Sequence, residues 1–198
     1  MKYENIKKLT VIALLSAVAF LLMVLEFPVP LVPGFIKMDI SEFPALIAAF
    51  IMGPVEGIAV CFIKCCLHLT MSYSAGIGEL ANFFIGAAFV GTAGLIYKRR
   101  NDFKGSIYGC LAGSFAMAAV SYPINLYIVY PVYSKMIPVD EIIQMYKEIL
   151  PSVGSLESAL FIFNVPFTFI KGLLVSVLSL LCYKKLEHLY KSKKGFNC

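Results

Sequence analysis

Six apolar runs, at about residues 9–25, 43–52, 54–71, 79–97, 106–130 and 156–183, divide the chain, with polar or proline-rich links between them. A bilayer core of about 30 Å takes roughly 20 helical residues to cross. Five of the runs approach or exceed that length; the second is too short to cross upright by itself. The expected fold is therefore an all-α integral membrane protein, a six-helix transmembrane bundle with a short second helix, forming one domain over residues 1–198. Composition agrees, since 60% of the residues are hydrophobic and 15% are charged, where soluble proteins carry about 25% charged residues. The stretch from Lys2 to Leu25, basic and then apolar, has the order of a secretory signal. It is long for one, and further spans follow it, so it reads as a retained first helix.

The net charge of +5 is not spread evenly. Lys2, Lys7 and Lys8 precede the first run, Lys98, Arg99, Arg100 and Lys104 sit between the fourth and fifth, and Lys184, Lys185, Lys191, Lys193 and Lys194 close the chain. Lys37, Lys135 and Lys147 fall in the alternate links, which hold most of the acids. This positive-inside pattern places both the N and C termini on the cytoplasmic side. It leaves no contiguous basic face, which excludes nucleic acid as a partner. The cysteines Cys61, Cys65, Cys66, Cys110, Cys182 and Cys198 form no CxxC pair; they read as small buried hydrophobes, with Cys65 and Cys66 on different sides of a helix.

Ionisable and amide groups are expensive inside a bilayer, so the few present call for a role. Asn164, Thr168 and Lys171 are spaced four and three apart on the last run and share a face. The fifth run offers Asn125, the fourth Glu79 and Asn82, and the first link Lys37, Asp39 and Glu42. Pro123 and Pro166 stand beside Asn125 and Asn164. An interior proline lacks an N–H and frees a carbonyl one turn back, which predicts a bend lining a cavity. Any one asparagine by itself reads first as glue between helices, but the convergence of several polar positions beneath one link points to a ligand cavity. On the third run Glu56, Lys64 and His68 share a face at multiples of four. They read either as an ion path or as groups at the two membrane edges with Lys64 paired or snorkelling.

Residues 139–150 place Ile142, Ile143, Tyr146 and Leu150 opposite Asp140, Glu141 and Lys147, the pattern of an amphipathic helix resting on the outer surface. Tyr73, Tyr122, Tyr127, Tyr130 and Tyr133 fall near the same face and read as an interfacial belt that could also stack on a flat ligand. Ala13 and Ala17 form AxxxA, and Gly109 and Gly113 form GxxxG, spacings that bring helices close in lipid. There is no GxxxxGK[ST], no HExxH and no nucleophile set, and His68 and His188 are the only histidines. The chain reads as neither an enzyme nor an ATPase, and no cofactor or metal is implied.

The segments PGFIKMDISEFPALIAAFIMGPVEGIAV, GELANFFIG, NLYIVYPVY and PFTFIKG resemble, in order and separation, signatures of the riboflavin-specific S-components of energy-coupling-factor (ECF) vitamin transporters. The resemblance runs from Leu9 to about Leu181. It implies a vitamin-capture subunit of the bacterial cell membrane, with an outward site capped by the first link. Asn125 matches the fifth-helix asparagine that bonds the flavin ring, and Lys171 the lysine of a PFNxxKG-like motif. That motif's asparagine is Thr168 here, and Asn164 one turn earlier is a candidate substitute. Glu79 and Asn82 match positions beside the site, and Met38 and Asp39 complete the candidate set from the capping link. Ala13 and Ala17 match the surface that docks on the ECF transmembrane coupling subunit, itself joined by two ECF ATPase subunits. Two alternatives stand beside this reading: an S-component for another vitamin, and a stand-alone ion-coupled carrier using Glu56, Lys64 and His68.

Overall fold

The structure, a computed structural model, describes residues 2–30, 32–34, 36–72, 75–135 and 137–191, with side chains from 5 to 183 within them. Tyr73 and the basic side chains from Lys184 onward lie outside the described residues. The helices are α1 (Lys2–Val24), α2 (Glu42–Ile51), α3 (Pro54–His68), α4 (Ile77–Arg99), α5 (Phe103–Ile124), α6 (Tyr130–Tyr133), α7 (Val139–Ile149), α8 (Leu156–Ala159) and α9 (Val165–Lys191). Among the described residues, five helical stretches are long and apolar enough to cross a membrane: Asn5–Val24, Pro54–Met71, Ile77–Arg99, Phe103–Tyr133 and Leu156–Tyr183. Their outer faces keep Leu9, Leu14, Phe62, Phe115 and Leu181 exposed, an apolar surface that lipid rather than water covers.

Beyond Glu42 in its first turn, the short α2 is apolar on every side and lies inside the bundle, with Ala45, Leu46 and Ala48 wholly buried; a helix apolar all round is stable only in such a place. Gly53, at φ 135°, makes the sharp turn from α2 to α3, a backbone conformation that residues with a side chain rarely adopt. α4 and α5 approach closely where the GxxxG spacing predicts. A Cβ on Gly109 would stand 2.7 Å from the Ala93 carbonyl oxygen, and one on Gly113 2.8 Å from that of Phe89. These glycines serve contacts within the bundle.

Both proline-bearing helices bend by the same device. A π turn, Asn125–Val129, joins α5 to α6, and a second, Leu160–Asn164, joins α8 to α9. Pro123 and Pro166 each withhold an N–H from the ordinary ladder, and the wider turns absorb the fault; such turns often accompany functional sites. Both asparagines are thereby set at the ends of π turns.

One element is added here and one expectation changes. The proline-rich link is not wholly irregular, since β1 (Phe27–Pro28) pairs antiparallel with β2 (Lys37–Met38). The amphipathic helix α7 does not rest on a surface: Ile142 and Tyr146 are buried in a cluster with Val129, Tyr130 and Leu160. Its apolar stripe finds a protein partner, which leaves Asp140, Glu141 and Lys147 exposed on the other side.

Candidate functional site

A two-lobed cavity opens at the end of the bundle where α4 begins, away from the basic turn at Lys98–Lys104. The smaller lobe, about 170 Å³, is walled by Ile36, Ile85, Met117 and Phe167 and carries Asn125, Asn164, Thr168 and Lys171. The larger, about 530 Å³, is bounded by Met23, Ile142 and Met145 and carries Asp39, His68 and Glu79. Asn82, Tyr130, Tyr133 and Lys171 border both lobes, which therefore adjoin. The larger lobe alone falls within the roughly 300–1,000 Å³ typical of small-molecule sites, and apolar walls with a few polar anchors are their usual construction.

Each asparagine is oriented by the protein. The Asn125 side-chain amide donates to the Ser121 carbonyl at 2.7 Å, so its Oδ1 is the end left for the cavity. Asn164 is buried, and its Oδ1 accepts from the Tyr146 hydroxyl at 2.8 Å, which leaves its Nδ2. Tyr146 in turn bonds the Tyr130 hydroxyl. Burial, reinforced by Tyr130, pushes the Tyr146 phenol far up, so it stays a neutral donor. The site thus shows one acceptor and one donor in place of two interchangeable amides.

Lys171 belongs to a buried network of four charges. Its Nζ stands 2.7 Å from Asp39 Oδ2 and 3.2 Å from Glu42 Oε2. Glu42 Oε1 is held by Lys64 at 2.8 Å, with both side chains wholly buried. Ser41 ties the two halves together: its hydroxyl bonds both Asp39 and Lys64, and its N–H donates to Asp39 Oδ1 at 2.9 Å. Ser41 opens α2, as its position suggests, but its side chain makes no cap bond; the hydroxyl is committed to the network. Burial raises the Asp39 carboxyl, and the ammoniums of Lys171 and Lys64 more than offset it, holding the group well below the usual carboxylate range. The first link is thereby fastened to α3 and α9.

The candidate residues are largely brought together: Asn125, Asn164, Thr168, Lys171, Glu79, Asn82 and Asp39 all border the cavity. Met38 is the exception. It is buried and lies outside both linings, because alternation along the extended chain turns Lys37 and Asp39 to the cavity and Met38 the other way. Glu56, Lys64 and His68 form no single path among the described residues. Glu56 pairs with Lys8, Lys64 with Glu42, and His68 with Glu79 at 2.9 Å. Tyr127 faces outward as a belt residue would, at 74% exposed, whereas Tyr130 and Tyr133 turn into the site. Ala13 and Ala17 are exposed on α1. Sequence reasoning missed Tyr146 as a site residue; its only signal was a tyrosine on the apolar stripe of α7.

A ligand cavity enclosed by membrane-crossing helices, with fixed amides as anchors, defines a multi-pass membrane protein built to bind a small molecule. The chain belongs to the family of ECF transporter substrate-specific components, whose family model matches residues 7–183. It is 34% identical over 185 residues to the riboflavin transporter RibU of Staphylococcus aureus (strain TCH60), covering 93% of each chain. It is 35% identical over 186 residues to the riboflavin transporter FmnP of Bacillus subtilis (strain 168), covering 92% of this chain and 93% of that one. A solved structure described as the S component of a bacterial ECF transporter superposes with a TM-score of 0.75 at 33% identity, covering 94% of this chain and 99% of the other. This is a transport family rather than an enzyme family.

Proposed function

We propose that this chain is the riboflavin-binding subunit of an ECF transporter, capturing the vitamin from outside for uptake driven by ATP hydrolysis in partner subunits. It would work in the bacterial cell membrane as a single six-helix domain, α2 serving as the short sixth helix and both termini facing the cytoplasm. Its partners would be a transmembrane coupling subunit, approached through Ala13 and Ala17, and two ATPase subunits. The observation that carries the reading is the pair of oriented amides, Asn125 and Asn164, in a mostly apolar cavity. Riboflavin is uncharged and flat, and its ring edge carries an N–H between two carbonyls. An acceptor and a donor on facing helices suit that edge, and Phe167, Tyr130 and Tyr133 offer surfaces for the ring. Thr168, Asn82 and Glu79 supply further polar contacts, while Asp39 and Lys171 shape the wall through their ion pair.

The separate pairing of Glu56, Lys64 and His68 argues against an ion-coupled carrier. The test is titration of the purified protein with riboflavin, followed by quenching of flavin fluorescence, beside thiamine, biotin and pantothenate as competitors. Riboflavin alone should saturate it. Asn125→Ala should weaken binding about tenfold or more, as expected where a buried hydrogen-bond partner worth about 1–3 kcal/mol is removed. Saturation by another vitamin, or unchanged riboflavin affinity in the folded variant, would refute the assignment.

A further inference from the structure

Tyr146 stands on α7, outside the five long apolar helices, yet its side chain is wholly buried. Its ring packs against Phe163 with centroids 5.4 Å apart, and its hydroxyl is the inner member of the chain Tyr130–Tyr146–Asn164. A phenol has one proton to give. With Tyr130 donating to Tyr146 and Tyr146 to Asn164 Oδ1, the donors run in one consistent direction and hold the Asn164 amide with Oδ1 toward Tyr146. An amide flipped by half a turn would set Oδ1 toward the cavity and lose the bond that Tyr146 donates, which would require the Tyr146 proton to turn to Tyr130. The Tyr130 hydroxyl also interacts with the Asn164 side chain, so the two phenols hold the amide together, with Tyr146 supplying the 2.8 Å bond to Oδ1.

We propose that Tyr146 is a positioning residue for ligand specificity: it presents the Asn164 N–H to the cavity and thereby makes the site demand a strong acceptor, such as a ring carbonyl, at that point. Asn125, held by Ser121, demands a donor beside it. The segment between the fourth and fifth long helical stretches is thus a determinant of which ring edge is accepted, with Tyr146 acting through Asn164 without itself bordering the cavity. The inference rests on the riboflavin reading and deepens it.

The test compares riboflavin with 2-thioriboflavin and 4-thioriboflavin, in which one ring carbonyl becomes a much poorer acceptor. The wild-type protein should bind one of the thio analogues about five- to tenfold more weakly than riboflavin. Tyr146→Phe keeps the ring and its packing on Phe163 and removes only the hydroxyl. It should weaken riboflavin about fivefold and move the ratio of the two affinities toward one, because the amide loses the bond that fixes its Oδ1. A variant that lost affinity through general loosening would weaken both ligands and leave the ratio alone. Asn164→Asp, which has no N–H to offer, should abolish the discrimination as well and reads the same contact if Tyr146→Phe does not purify. An unchanged ratio in either folded variant overturns the proposal, as does equal binding of all three flavins by the wild type. Failure of the wild type to bind any flavin would instead overturn the riboflavin reading.

Discussion

Lys171 on α9 and Asp39 in the first link are 132 positions apart in sequence, and their charged atoms stand 2.7 Å apart. The link that follows α1 is therefore fixed by the last helix of the bundle, at the rim of the cavity. Glu42 and Lys64 extend the contact inward, so that two acids and two bases share one water-poor pocket. Burying four charges is costly, and mutual pairing is what makes it tolerable.

Breaking that pairing from one side should therefore be severe. Lys64→Met leaves Glu42 without its 2.8 Å partner at a site with no exposure, and removing one member of a buried pair typically costs about 3–5 kcal/mol. The variant should melt well below the parent in detergent or fail to fold. The double variant Lys64→Met with Glu42→Gln should recover much of the loss. A single variant as stable as the parent would show that the pair is not buried as described.

The ion pair also sets a pH dependence with a definite sign. Asp39 titrates near its ordinary value of 3.8 when unfolded and lower when folded. Between those values the unfolded chain binds more protons, so stability rises with pH there. The contribution should be fully present above about pH 5 and should be lost as pH falls through about 4 and below. Melting temperatures from pH 8 down to 3 will show it, and Asp39→Asn should flatten the acid limb that this group supplies.

Gly109→Leu places a side chain where even a Cβ meets the Ala93 carbonyl at 2.7 Å. Neither backbone can yield without parting α4 from α5. A loss of at least about 2 kcal/mol is expected, at the upper end of ordinary overpacking, read as a lower melting temperature and reduced yield. The same change at exposed Ala13 should leave stability unaltered.

Ala13→Trp with Ala17→Trp tests the proposed docking face. Both positions are exposed on α1, and neither lines the cavity. Riboflavin affinity of the isolated subunit should stay within about twofold, while co-purification with the coupling and ATPase subunits should be lost. Retained assembly would place the docking face elsewhere.

The parts of this structure that the sequence displays are those where a polar residue interrupts apolar surroundings. Asn125, Asn164, Thr168 and Lys171 are conspicuous for that reason, and helical spacing is enough to put three of them on one face. Pairing across elements is not displayed. Nothing local says that Lys64 meets Glu42 on a different helix, because either could equally have turned to a membrane edge. Tyr146 was hidden by ambiguity of another sort, since an amphipathic stripe looks the same whether it covers lipid or protein. Met38 fell to strand alternation in a link whose prolines suggested no strand at all, and the π turns were visible only as prolines out of place.

The four-charge cluster also bears on how capture responds to the electrical state of the cell. Two carboxylates and two amines sum to zero wherever each proton resides, and an uncharged vitamin adds nothing to that sum. A membrane voltage does work only on charge moved through its field, about 2.3 kcal/mol per elementary charge per 100 mV. The first step of uptake should therefore proceed alike in energised and depolarised cells.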